Sequence, residues 1–485
     1  MKNLIKIPSK QYFQKVKQIL FKKILFKNKN HEFNNLRRSI YCNERVLKLM
    51  AQNNININEI SSGVSDRTAY KGYLKQIIND FKKNKYYKNY YPSKGNIEAR
   101  NALSIYENYK LKSSVNYSPD DFCLTEGSTG AITMIFEYMK KYYPNKEILI
   151  QSPNYYLYKF SANYYNLQLK EVMSSIDNNN PSFISVDTMI KNITNATKLI
   201  IITNPANPSG EIFNKNNLKK ILLISKEKNI LVLVDELFAE LVFKPDKYVY
   251  SDTVASSVNA MSNLVIVKGY SKSKNLVGLR IGYLYSKNKE LTEAVSLISQ
   301  QRSSYSVASN FTGLISLDCF IQSVRYNSVS KIKKVIKDFQ IISTIKEKSY
   351  FELVKECQSY NRYYESLIKF YSERFDEAIN ILNGDVEIKF PKKSAFNTIV
   401  KIKNLDNVNS FDFMLNCFLT TGLKTEIGPC FGFNQKVWDN KLGFWLRLTF
   451  AKDKKLFKEG IIKFIEFKKI YLKSPNLFIK TNLSF

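Results

Sequence analysis

Four short apolar runs set the limits on what this chain can fold into. They are KEILIQS (146–152), KLIIITNP (198–205), NILVLVDE (229–236) and LVIVKGYS (264–271), and each ends at a polar, Pro or Gly signal. Apolar runs without alternation read as strands buried on both faces, which is the condition of a parallel sheet. Helical stretches stand between them. NLKKILLISKEK (217–228) places Leu218, Ile221, Leu222 and Ser225 at helical spacing. Strand–helix–strand alternation predicts a doubly wound α/β layer.

Beyond about residue 320 the pattern changes. Residues 323–382 are helical in pattern and highly charged, and FNTIVKI (396–402) and FWLRLTF (444–450) are strand-like. A smaller α+β domain is expected there. The expected division is a basic N-terminal arm with part of the small domain (1–60), a large domain (61–320), a charged helical insertion (321–358) and a C-terminal small domain (359–485). The Asn-rich patches at 51–57 and 178–180 read as loops.

Charge and composition narrow the function classes. The 74 Lys+Arg against 42 Asp+Glu leave a net charge of +32, which favours anionic partners. No aromatic-interleaved basic motif of a nucleic-acid module is present, so nucleic acid is not the expected partner, and the charge reads as a solvated surface. No apolar stretch reaches the roughly 18 residues of a membrane-spanning helix. The first 31 residues hold nine lysines and no acid. Within them, QILFKKILF (18–26) could lie as an amphipathic helix on an anionic membrane surface, or pack as a terminal arm. The arm lacks the features of a signal or transit peptide. The six cysteines are single and form no CxxC pair, which argues against a zinc site and a disulfide scaffold. They fit a reducing compartment, so a cytoplasmic protein is expected. The one histidine, His31, sits in the basic arm and reads as a surface residue, so mechanisms needing a His base or His metal ligands are nearly excluded by count.

In open α/β sheets, ligands bind outside the carboxyl ends of the strands. Tyr155 and Tyr158 follow the first run, NPANPSG the second, Asp235-Glu236 closes the third, and the fourth leads into Lys272. Upstream, LTEGSTGAI (124–132) is a small-residue turn opening an apolar helix, suited to a phosphate at a helix N-terminus. A flat aromatic, an acid, an amide, a lysine and a phosphate cradle together suit pyridoxal phosphate. That cofactor needs a lysine for its Schiff base and an acid at its pyridinium nitrogen.

In GYSKSKNLVGLRIG (269–282), the chain resembles the class I/II aminotransferase family of fold-type I pyridoxal-phosphate enzymes. The resemblance implies a three-layer α/β large domain with a mainly parallel sheet, plus a smaller α+β domain. In that signature the Schiff-base lysine, preceded by a small residue (Ser271), stands eight residues before a phosphate-binding arginine. Arg280 therefore selects Lys272 and leaves Lys274 a bystander. NPANPSG implies Asn207 at the phenolic oxygen, and DELF implies Asp235 at the pyridinium nitrogen. TEGSTGAI implies Gly127, Ser128 and Thr129 at the phosphate, and PNYYLY implies Tyr155 stacked on the ring. YYPSKG implies that Tyr90 reaches the phosphate of a neighbouring subunit, hence a homodimer. FWLRLTF implies Arg447 as the clamp on the substrate α-carboxylate, and SSGVSD implies Gly63 beside the substrate.

Two positions depart from the family pattern. Phe238 stands where a tyrosine usually donates to the phenolic oxygen, and Gly269 stands where many members have a phosphate-binding serine. Arg302, three residues before Tyr305, matches a position that binds a distal carboxylate across the dimer in aspartate-type members; a helix-end arginine is the alternative. The expected activity is transfer of an amino group between an amino acid and a 2-oxo acid. The rivals are a decarboxylase, lyase or oxidase on the same fold, or a basic binding protein with a vestigial cofactor site.

Overall fold

The computed structural model describes residues 5–20, 32–61, 63–111, 115–173, 176, 181–327, 331–394, 396–481, 483 and 485. The pair β1 (Asn58–Glu59) comes first, followed by the strands of the main sheet. These are β2 (Phe122–Glu126), β3 (Glu147–Ser152), β4 (Gln168–Met173), β5 (Thr197–Thr203), β6 (Leu231–Asp235), β7 (Leu264–Gly269) and β8 (Ile281–Ser286). Their order is β2-β8-β7-β6-β5-β3-β4. β8 runs antiparallel to both β2 and β7, and the pairings β7–β6, β6–β5, β5–β3 and β3–β4 are parallel.

The sheet divides its side chains between two helical layers. Leu199, Ile201, Leu231, Leu233, Val265 and Val267 pack into the core on one face. Ile200, Ile202, Val232, Val234, Leu264 and Ile266 pack into the core on the other. Period-2 alternation with both faces covered explains why these runs are apolar throughout. Each such buried side chain contributes about 1.5–3 kcal/mol of transfer free energy. The helix Lys215–Glu227 buries Leu218, Ile221, Leu222 and Ser225, the face its spacing predicts. Asn214 caps it, its side chain accepting from Asn217 N at 2.9 Å.

A second sheet carries β9 (Val386–Lys389), β10 (Asn397–Ile402) and β12 (Trp445–Thr449) in the antiparallel order β12-β10-β9. The pair β11 (Leu423–Lys424) lies parallel to β1. Their core gathers Ile399, Leu446, Phe413 and Phe464 with Tyr12, Phe13, Val16, Leu20, Leu36 and Ile40 from the chain's beginning. The helix Lys10–Leu20 thus spends its apolar face on the C-terminal body, and Tyr12 Oη donates to Leu419 O at 2.9 Å. Most of QILFKKILF, His31, and the Asn patch at 178–180 lie outside the described residues.

The helices Thr312–Asn327 and Tyr350–Leu382 run through positions 320 and 358, where the expected insertion begins and ends. Within it, Ile332, Val335, Phe339 and Leu353 join the same core as Val232 of β6. Among the described residues, no helix is long and apolar enough to cross a membrane. All six cysteines are free.

Candidate functional site

The carboxyl ends of β5, β6 and β7 converge on one cavity. Lys272, Asp235, Arg280, Asn207, Tyr155 and Arg447 line it, together with Gly63, Ser128, Thr129, Phe238 and Ser271. Its far wall comes from the smaller body, through Phe396, Asn397, Glu426 and Arg447.

Lys274 is buried and Lys272 partly buried, and the two lie in opposite electrostatic settings. Lys272 Nζ donates to Gly63 O and stands 5.4 Å from the centroid of the Phe396 ring. Burial, then the guanidiniums of Arg447 and Arg280, push its amine down to about 8, with Glu426 opposing. A Cβ on Gly63 would lie 3.3 Å from that Nζ, so the lysine comes close to the backbone there. Lys274 Nζ instead pairs with Glu240 Oε2 at 2.6 Å and Asp318 Oδ1 at 2.7 Å. Its burial favours the neutral form, but those two carboxylates and Tyr360 carry its amine well above the usual range.

Asp235 ends β6 with its carboxylate buried and directed into the cavity. Oδ2 accepts from Tyr158 Oη at 2.9 Å, and Oδ1 accepts from Leu237 N at 3.0 Å. Burial pushes the carboxyl up to about 6, against the lowering effect of those two donors. Alternation along the strand sends the next residue the other way, and Glu236 Oε2 lies 3.7 Å from Lys268 Nζ.

The small-residue turn joins β2 to the helix Gly127–Tyr142, so the free N–H groups of Ser128 and Thr129 open its first turn. Gly127 has φ +68°, and a Cβ there would lie 3.0 Å from Arg280 Nη2. Arg280 is itself left-handed at φ 52° and donates from Nη2 to Glu126 O at 3.3 Å. A Cβ on Gly282 would fall 2.3 Å from the Gly127 carbonyl carbon, so β8 and the turn can touch only through glycine. Gly269 is close too, its Cβ position 3.3 Å from Ser128 N.

Asn207 Oδ1 accepts from Arg447 Nη1 at 3.2 Å and from Asn397 Nδ2 at 3.3 Å, which leaves its amide nitrogen as the end that can donate into the cavity. Arg447, on β12, also donates to Ser61 O and pairs with Glu426 Oε2. Phe238 packs its ring 5.4 Å from that of Phe396 and offers no donor.

Two expected residues lie elsewhere. Tyr90 is 97% exposed and lines no part of its own chain's cavity. Arg302 ends the helix Lys289–Arg302, donates to Thr133 Oγ1 at 3.1 Å, and pairs with Glu137 and Tyr165. Sequence reasoning noted Tyr158 but gave it no role, and it passed over Asn397, Phe396 and Glu426. Only Tyr158 carried a signal, three residues after the stacking tyrosine and at the same strand end. The others arrive from distant stretches of chain.

The arrangement fits the cofactor that the motifs imply. Asp235 is a buried carboxylate with no cationic partner among the described residues, as an acid awaiting a pyridinium nitrogen should be. The turn at Gly127 keeps its backbone bare beside Arg280, as a phosphate cradle requires.

This three-layer scaffold, with a lysine at the end of β7 and an acid at the end of β6, is the type I fold of the pyridoxal-phosphate transferases. The aspartate aminotransferase of Thermotoga maritima superposes with a TM-score of 0.65 at 18% identity, over 90% of this chain and 97% of that one. The family model for aminotransferase class I and II matches residues 54–339. The chain belongs to the class I and II aminotransferase family, whose members depend on pyridoxal phosphate. A probable aspartate aminotransferase of Methanocaldococcus jannaschii is 27% identical over 227 residues, 46% of this chain and 56% of that protein. A 1-aminocyclopropane-1-carboxylate synthase of Prunus mume is 26% identical over 278 residues, 56% of this chain and 54% of that protein. The chain thus spans little more than half the length of these curated relatives.

Proposed function

We propose that this protein is a pyridoxal-phosphate-dependent aminotransferase that moves an amino group between an amino acid and a 2-oxo acid. The observation that carries the reading is the single cavity joining Lys272, Asp235, Arg280 and Arg447, contributed by both bodies of the molecule. The cofactor, when bound, supplies an electron sink for the carbanion at the substrate Cα. Arg280 and the N–H groups after Gly127 would hold its phosphate, Tyr155 would stack on its ring, and Asn207 would donate to its phenolic oxygen. Asp235 would keep the ring nitrogen protonated.

Lys272 has two tasks. Its amine would hold the cofactor through the aldehyde carbon, and as a free base it would take up and return the proton at the substrate Cα. An amine held near 8 by burial and two arginines is available as a base at neutral pH, which a lysine in water is not. Arg447 would grip the substrate carboxylate with its planar fork.

The assembly in this reading is a homodimer, each Tyr90 reaching the neighbouring phosphate site. Its full exposure supports that, as does the exposure of Phe81, Tyr87 and Ile97 in the same stretch of chain. Six unpaired cysteines suit a reducing compartment such as the cytoplasm.

Borohydride reduction of the cofactor-loaded protein, followed by peptide mapping, tests the reading. Label is expected on Lys272; label on Lys274, or none, overturns it. A panel of amino acids and oxo acids then tests the reaction, with oxo-acid product expected. Carbon dioxide release without oxo acid would instead assign a decarboxylase.

A further inference from the structure

The carboxylate clamp already holds a carboxylate. Glu426 lines the cavity, its Oε2 pairs with Arg447 Nη2, and its Oε1 lies 3.3 Å from Arg37 Nη2. Both guanidiniums are almost wholly buried, with side-chain exposures of 8% for Arg447 and 6% for Arg37. Arg37 comes from the helix Phe33–Tyr41, so a residue near the chain's beginning reaches the substrate end of the site through Glu426.

Neither arginine is saturated. The Nε of Arg447 and the Nε of Arg37 are both buried without an acceptor among the described residues. A buried, unsatisfied guanidinium donor is costly, and it marks a place where a further acceptor gains. Two arginines and one glutamate leave the group with one net positive charge, which a single incoming carboxylate would neutralise. A substrate carboxylate on Arg447 would meet Glu426 at close range, and like charges cannot share one fork without a large penalty. Arg37 offers Glu426 a second cation within reach, so the conflict can be relieved without expelling the side chain.

We propose that Glu426 is a specificity-determining residue: it occupies the substrate-carboxylate site on Arg447 by default and transfers to Arg37 when a substrate carboxylate arrives. This rests on the aminotransferase reading for the identity of the ligand. The end of the site at Arg447 then admits one carboxylate, and a second carboxylate meets an Arg37–Glu426–Arg447 group with no net charge left. Arg37 is a positioning residue that sets how readily Glu426 yields.

The test is the dissociation constant of propionate, a carboxylate that cannot donate nitrogen, measured by calorimetry on the cofactor-loaded protein. Glu426→Gln removes the resident competitor and is expected to tighten propionate by about tenfold. Arg37→Met removes the alternative partner and is expected to weaken it by about tenfold. The double variant should behave like Glu426→Gln, because Arg37 acts only through Glu426. Propionamide should bind all forms equally weakly. Glu426→Asp keeps the charge but shortens the reach, and should give an intermediate constant if the glutamine variant does not fold. Unchanged or weaker propionate binding in Glu426→Gln, or in Glu426→Asp where that stands in, overturns the proposal, as does an Arg37→Met protein that binds propionate normally. Propionate binding involves no amino transfer, so this result stands apart from the borohydride experiment and the amino-acid panel, which together decide the aminotransferase reading.

Discussion

Lys272 and Lys274 differ by two positions in the chain and by the company each keeps. Lys272 faces two guanidiniums across a cavity, and Lys274 is clasped by two carboxylates beside Tyr360 of the long helix Tyr350–Leu382. The pH dependence of stability follows. Between about 8 and the usual 10.5, the unfolded chain binds a proton that folded Lys272 has released, so stability rises with pH through that window. Below 8 the full penalty applies. Lys272→Met should therefore stabilise the cofactor-free protein at pH 7 by on the order of 3 kcal/mol. The gain should shrink toward zero as urea unfolding is repeated up to pH 10.5. Asp235 has the opposite window. Its carboxyl is raised from 3.8 to about 6, so the folded protein keeps a proton the unfolded chain has lost, and stability falls as pH rises through that range. Asp235→Asn should stabilise the cofactor-free protein at pH 7 yet lower amino transfer by about 100-fold or more, as expected for removal of an electrostatic group at the reacting system.

At the scale of elements, the site is built by strand ends and the turns that follow them. The turn after β2 and the start of β8 are in contact because Gly127 and Gly282 both lack a Cβ. Gly282→Ala would set a methyl against the Gly127 backbone. It should cost about 1–3 kcal/mol in a urea melt. It should also weaken cofactor binding more than Gly278→Ala, a change at a position with nothing within 4 Å. These elements were legible in the sequence because their signals are local. The apolar runs became β3, β5, β6 and β7, and the Lys272-to-Arg280 spacing lies within one turn and one strand start. The charged segment 321–358 was less legible. Its alternating charges mask Ile332, Val335 and Phe339, which serve the same core as the sheet.

At the scale of the whole molecule, the exposed Tyr90 sets the assembly prediction. If each site needs its own Lys272 and the neighbouring Tyr90, Lys272→Ala and Tyr90→Ala proteins should each be nearly inactive. Unfolded and refolded together in equal amounts, they should recover about a quarter of wild-type activity, since half the dimers are mixed and each mixed dimer has one intact site. No recovery from two inactive variants, with a dimer present by sedimentation, would mean that Tyr90 does not serve the neighbouring site. Arg302 belongs to the same scale: within one chain it is held by Glu137 and Tyr165, away from the cavity.

The sequence alone determined the α/β layer and the strand-end positions of Lys272, Asp235, Asn207 and the Gly127 turn. Each of these is written in adjacent residues whose backbone geometry depends on local sterics and period. Only the tertiary structure decided that Tyr158 steadies Asp235, that Asn397 and Arg447 share the Asn207 oxygen, and that Glu426 stands between Arg37 and Arg447. These contacts join residues far apart in the chain, and the strength of a buried charge depends on which opposite charge the fold brings within a few ångströms, which no run of neighbouring residues records.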